Sequence, residues 1–176
     1  SQIVYLRDIL NSNEFTNSSG INMVLGCDTA GNPVITDLTK APHMIVAGQT
    51  GSGKSIGINA FLMSMLATKS PDDLRLILID PKMVELRPYN SIPHLLTPVV
   101  NDSLKAIKVL NWVSKCMDER YVELSNAGIR NIAGYNEMFH KRMPYIVVLI
   151  DEMADLMITA GKKAEIQIVR IAQIII

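Results

Sequence analysis

The sequence predicts an α/β protein with a mainly parallel sheet flanked by helices. Three observations predict it. Apolar runs without polar alternation occur at His43-Met44-Ile45-Val46-Ala47, at Leu74 to Ile79 and at Tyr145 to Ile150. Strands that read this way are buried on both faces, as in parallel sheets covered by helices. Stretches with apolar residues at helical spacing separate these runs. A Gly-rich segment follows the first run at once and leads into a helix, which is the order of a phosphate-binding strand–loop–helix.

Taken in order, residues 1–40 read as a lead-in and residues 41–176 as the α/β core. In the lead-in, Met23-Val24-Leu25-Gly26 and Pro33-Val34-Ile35 flank Thr29-Ala30-Gly31-Asn32, which predicts a β-hairpin. His43 to Ala47 is expected as a buried strand. From Lys54 to about Thr68, Ile56, Ala60, Met63 and Leu66 recur at helical spacing, and Ser70-Pro71-Asp72-Asp73 breaks the helix. Leu74 to Ile79 is the second strand, closed by Asp80-Pro81. A long helix is expected over 102–125, with Asp102 or Ser103 as its cap. Tyr145 to Ile150 is the third strand, and a last helix is expected from about Lys162 to the end.

Composition narrows the function classes. With 176 residues the chain can bury a real core, and 48% apolar against 19% charged residues is the balance of a globular domain. Lys and Arg equal Asp and Glu at 17 each, so no global basic field points to nucleic acid, and any such contact must be local. Cys27 and Cys116 are far apart and have no metal spacing; free thiols in a reducing compartment are expected. No apolar run approaches the ~20 residues that a membrane-spanning helix needs. The start, Ser1-Gln2-Ile3, has neither a Met nor a basic leader, so the chain reads as a piece of something longer.

The segment Gly48-Gln49-Thr50-Gly51-Ser52-Gly53-Lys54-Ser55 fits G-x-x-x-x-G-K-[ST]. Glycines let the backbone curl so that successive N–H groups converge on phosphate oxygens. The helix that follows offers its positive N-terminal end to the same anion. Lys54 is expected on the β- and γ-phosphates and the Ser55 hydroxyl on Mg²⁺. The third strand ends in Asp151-Glu152, where parallel sheets place ligand chemistry. Asp151 is expected to hold Mg²⁺, through water, and Glu152 to orient and polarise the attacking water. Adjacent carboxylates are costly unless a cation balances them. The bland alternative for this pair is a helix cap with an acidic first turn, with Met153 onward helical. No Asn-Lys-x-Asp guanine-reading segment is present, which favours ATP over GTP. Lys82, in Asp80-Pro81-Lys82, fits equally a place near this site, in its own or a neighbouring subunit, and a solvated turn.

Other residues read more simply. His43 and His94 are expected as structural histidines, Arg130 as a helix-end or solvated arginine, and Lys162-Lys163 as a solvated face. Trp112 and the ten methionines are expected in the core.

Several longer stretches resemble the FtsK/SpoIIIE family of bacterial DNA translocases. They are Pro42 to Gly48, Ile79-Asp80-Pro81-Lys82-Met83-Val84-Glu85-Leu86, Ile92 to Thr97, Gly128 to Asn136 and Val148-Leu149-Ile150-Asp151-Glu152-Met153-Ala154-Asp155-Leu156-Met157. The lead-in is similar too. The resemblance implies a RecA-like P-loop ATPase, incomplete at its C-terminus, that assembles as a hexameric ring and translocates double-stranded DNA in bacterial cell division and chromosome segregation. It implies a cytoplasmic motor whose parent protein is anchored at the inner membrane by an N-terminal region. A related conjugation-coupling or secretion ATPase is the alternative. A nucleotide-binding scaffold without useful turnover is the alternative for this piece alone. The bridge Glu137 to Met143 is shorter than the family's usual linker, and the arginine finger that a neighbour would contribute is expected past Gln173. Alone, the chain is expected to be a weak ATPase with poor DNA affinity.

Overall fold

The computed structural model describes residues 3–49, 51–140 and 142–173. The chain divides into two compact units, Ser1–Lys69 and Ser70–Ile176.

The first unit holds α1 (Leu6–Leu10), α2 (Asn13–Thr16), β1 (Asn22–Cys27), β2 (Pro33–Asp37) and α3 (Lys54–Thr68). β1 and β2 form the expected antiparallel hairpin, with a bulge that turns Leu25 outward. Its turn is held by Asp28, whose carboxylate accepts from the N–H groups of Ala30 and Asn32. Ile9, Phe15 and Val24 form a small core under the hairpin. α3 packs on β1, and the Ser64 hydroxyl accepts from the Val24 N–H at 3.2 Å.

Two expectations fail here. Residues 43–47 are not a strand but an exposed, irregular stretch with no ladder partner among the described residues. A strand exists only through its ladder, so apolar composition alone could not place one. The helix over 54–68 is as predicted, but its buried face is Ile58, Leu62, Ser64 and Met65 rather than Ile56 and Met63, which are exposed. Apolar residues surround this helix, so spacing did not single out one stripe.

The second unit holds β3 (Leu74–Ile79), a 3₁₀ turn at Arg87–Tyr89, α4 (Ser103–Asn126), α5 (Ile132–Met138), β4 (Tyr145–Ile150) and α6 (Met153–Gln173). β3 and β4 are parallel and in register from Leu74↔Tyr145 to Ile79↔Ile150. On its other edge β3 meets single bridges at Leu95 and Val100. Flanked on both sides, β3 is almost wholly buried, while β4 is half-buried along its length. α4 and α6 pack together, and Ala106, Leu110, Val113, Leu156 and Ala164 close over Ile77 and Ile79. Asp102 caps α4 by accepting from the Lys105 N–H at 2.8 Å. A second core gathers Leu124, Ile132, Tyr135 and Met143 around α5.

Two further expectations are corrected. Trp112 is exposed rather than core. It lies two residues after buried Leu110, which puts it on the far side of the helix from the stripe 106, 110, 113. The final helix begins at Met153, well before Lys162, and breaks at Gly161, where φ is 58° and ψ −148°. The helix expected from Lys162 is its second half. Cys27 and Cys116 are free and half-buried. His94 is buried in its loop, whereas His43, Arg130, Lys162 and Lys163 are exposed.

Candidate nucleotide-binding site

The Gly-rich segment ends at the first residue of α3. Gly51 and Gly53 adopt φ of 81° and 92°, the left-handed region that side chains disfavour. Gly53 occupies the cap position of α3, so its lack of a Cβ lets the loop turn straight into the helix. Gly48 serves a second purpose, because a Cβ there would lie 2.2 Å from Ser52 Oγ. The loop closes on itself through Ser52 N–H donating to the Gln49 carbonyl at 3.0 Å. Lys54 and Ser55 are half-buried at the start of a 15-residue helix, in the turn whose N–H groups lack helical acceptors. Asn59 Nδ2 donates to the Ser55 carbonyl at 2.9 Å and braces this turn. Thr50 lies outside the described residues. Tight glycines, a helix N-terminus, one lysine and one hydroxyl are together the donor set for a triphosphate with Mg²⁺.

The carboxylates stand in the second unit, at the C-terminal ends of its strands. Asp80 follows β3 and Asp151 follows β4, and the parallel register puts them abreast. Both are buried, Asp80 completely and Asp151 to 5% exposure. Asp80 is spent on its own loop: its carboxylate accepts from the N–H groups of Lys82, Glu85 and Leu86 at 3.0–3.1 Å. The Asp151 N–H donates to the Ile79 carbonyl at 2.9 Å, which continues the ladder. Glu152 is less buried and has φ 56°, an uncommon conformation for a residue with a Cβ. Its carbonyl starts α6 by accepting from the N–H of Asp155. Lys82 reaches back from the β3 loop, with Nζ 3.0 Å from Asp155 Oδ2 and 3.8 Å from Glu152 Oε2.

Thus the structure brings together Asp151, Glu152 and Lys82 in one unit, and Gly48, Gln49, Gly51, Ser52, Gly53, Lys54 and Ser55 in the other. Sequence reasoning missed Asp155, whose signal was its place three residues after Glu152 in the first turn of a helix. It also missed Asp80 as the clamp of the Lys82 loop. Among the described residues no cluster of three or more His, Cys, Asp or Glu could hold a metal ion. Mg²⁺ needs none, because it binds through one or two side chains, waters and phosphate. Among them, too, no helix is long and apolar enough to cross a membrane.

The architecture recurs in known ATPases. The cytoplasmic domain of the type VII secretion ATPase EccC of Thermomonospora curvata superposes with a TM-score of 0.79, at 21% identity, over 98% of this chain and 23% of that one. That likeness is of fold alone. The pCW3 conjugation coupling protein TcpA, solved as a monomer with ATPγS, superposes at 0.70 with 27% identity, over 92% of this chain and 45% of that one. In sequence the similarity is much higher. The chain is 52% identical over 178 residues to the DNA translocase FtsK of Helicobacter pylori strain J99, covering 98% of this chain and 21% of the relative. It is 50% identical over 177 residues to the DNA translocase FtsK of Campylobacter jejuni serotype O:2, covering 98% and 19%. The chain therefore spans about a fifth of the length of these relatives. The FtsK/SpoIIIE family profile matches residues 5–176, which takes in the lead-in, the Gly-rich loop and both strand-end carboxylates. With a match of that extent, the chain belongs to the FtsK/SpoIIIE family.

Proposed function

We propose that this chain is the nucleotide-binding part of an ATP-driven motor that translocates double-stranded DNA. The observation that carries the proposal is 52% identity to a DNA translocase across 98% of the chain, with the loop 48–55 intact within it. The loop's N–H groups and the α3 N-terminus bind the phosphates, and Lys54 places its charge on the β- and γ-oxygens. Ser55 would ligate Mg²⁺, and Asp151 would act on the ion through water. Bound Mg²⁺ supplies charge neutralisation for the transferred phosphoryl group. Glu152 orients a water and accepts its proton. Neither residue set contains an arginine, and we assign the cation for the γ-phosphate to a neighbouring subunit in a ring, hexameric as the family resemblance implies. The same resemblance supports a cytoplasmic motor in a membrane-anchored cell-division protein. TcpA's likeness keeps a conjugation-coupling pump as the second reading.

The test uses the full-length protein that carries this chain. Hydrolysis of ATP should require Mg²⁺ and rise on addition of double-stranded DNA. Lys54→Ala should weaken ATPγS binding and abolish turnover. Glu152→Gln should keep binding and lower turnover by about 10²–10⁴-fold. Unchanged turnover in both variants would overturn the site. Hydrolysis that ignores DNA would overturn the motor reading.

A further inference from the structure

We propose that Lys82 is a positioning residue for Glu152: anchored by Asp155, it holds the Glu152 carboxylate at the end of β4 where water is to be activated. The proposal rests on the ATPase reading above and assigns within it a role to a side chain that the nucleotide motifs do not include.

The argument begins with where Lys82 is fixed. Its loop is not loose, because wholly buried Asp80 accepts three of its backbone N–H groups, Lys82's own among them at 3.1 Å. Met83 next to it has φ 56° and sends its N–H to the Asp80 carbonyl at 3.2 Å. A buried carboxylate thus sets the direction in which Lys82 leaves β3. Parallel register then decides what it meets, since Ile79 pairs with Ile150 and the next residues on the two strands are Asp80 and Asp151. From there the Lys82 ammonium reaches the first turn of α6.

The two contacts are unequal. Asp155 Oδ2 lies at 3.0 Å, a close ion pair, and Glu152 Oε2 at 3.8 Å, a looser ionic contact. Asp155 is the anchor and Glu152 the guided group. That arrangement suits a base that must also take up a proton and bind a water, since a tight lysine pair would occupy its oxygens. Exposed ion pairs contribute little to stability, so stability alone does not account for this one. Charge accounting gives it a purpose: Asp151, Glu152 and Asp155 put three carboxylates within five residues, and Lys82 sets a positive charge beside two of them, Glu152 and Asp155. Backbone strain points the same way. Left-handed residues with side chains persist where the surroundings over-determine them, and Glu152 is such a residue.

The experiment compares variants of the full-length protein by steady-state ATP hydrolysis and by ATPγS titration. Lys82→Met should lower kcat about 10–100-fold, the scale of a misplaced catalytic group. The KM for ATP and the affinity for ATPγS should stay within about twofold, because Lys82 is outside the phosphate loop. Lys82→Arg should recover most of kcat. In a Glu152→Gln background, Lys82→Met should add no further loss, because the residue acts through Glu152. Wild-type kcat in Lys82→Met, a loss expressed in KM or ATPγS affinity, or a full additional loss in the Glu152→Gln background would each overturn the role. Should Lys82→Met lose its cooperative melting transition, Asp155→Asn carries the test: it should lower kcat several-fold at unchanged ATPγS affinity, and unchanged kcat overturns the anchor. An unmutated protein that binds ATPγS but does not hydrolyse ATP would overturn the ATPase reading and this role with it. Hydrolysis by the unmutated protein and by Lys82→Met at equal rates would overturn this role alone.

Discussion

At the scale of single residues, chemistry that depends on neighbours in sequence was readable, and chemistry that depends on folded loops was not. The turn from the Gly-rich loop into α3 was readable because its glycines and the first helical residues stand at fixed offsets along one turn. Asp151 and Glu152 were readable because a strand end is visible as the end of an apolar run. Asp155 and Asp80 were not, because one gains its partner from another loop and the other from its own loop's fold. Asp37 is a similar case outside the site. It accepts from the Ile21 N–H at 3.1 Å and from the Thr39 N–H and hydroxyl at 3.0 and 2.8 Å, and Lys40 lies beside it. Gly20 leaves the room for this, since a Cβ there would come within 2.3 Å of the carboxylate. Burial pushes the Asp37 pKa up, but the Thr39 and Ile21 hydrogen bonds and Lys40 outweigh it, and the net shift is below the ordinary 3.8. A lowered folded-state pKa stabilises above the ordinary value, and this contribution is lost as pH falls below it. Asp37→Ala should therefore cost about 1–3 kcal/mol at neutral pH, read by urea unfolding. The penalty should shrink as pH drops below about 4. A penalty independent of pH would mean that the carboxylate's charge is not what the hairpin uses.

Among elements, α3 and α4 were legible in extent and less so in facing, whereas the start of α6 was not. Asp102 was named as a possible cap of α4 and is the cap, because capping is local. The stripe of α3 depended on what lies opposite, which spacing cannot say when a helix is apolar all round, whereas Trp112 lies off the 106, 110, 113 stripe that the spacing of amphipathic α4 does mark. Residues 43–47 show the same limit for strands. In α6 the helix start expected near Lys162 is a break within a longer helix. At Gly161 the backbone enters a region that is open essentially to glycine alone. Beyond the break, Ala164 is buried, Gln167 accepts from the Ser114 hydroxyl at 2.9 Å, and Arg170 pairs with Asp118. These contacts hold the second half of α6 on α4 in its bent course. Gly161→Ala should destabilise the protein by about 1–3 kcal/mol in equilibrium unfolding, although alanine favours helices elsewhere. A stabilised variant would show that α6 runs straight.

For the molecule as a whole, the composite site proposed above has a consequence for assembly. If an arginine from a neighbour completes the site, specific ATPase activity of the full-length protein should fall on dilution below the ring-forming concentration. Mixing in Lys54→Ala subunits should depress it more than in proportion to their number. A trans arginine is worth about 10³–10⁵-fold in rate where it is known, so the effect should be plain. Constant activity per subunit with proportional mixing would place the cation within one chain. The pairing of β3 with β4 has a different consequence, for the chain as it leaves the ribosome. Leu74 to Ile79 emerges long before its partner, Tyr145 to Ile150. Until then, among the described residues, the Leu95 and Val100 bridges alone can cover one edge of an almost purely apolar strand. The nascent polypeptide thus carries an open, sticky edge through the synthesis of α4 and α5, which is the situation that recruits chaperones and seeds aggregation. A product released just before Tyr145 should be insoluble when expressed, whereas one extended through Gln173 should stay in the supernatant after centrifugation.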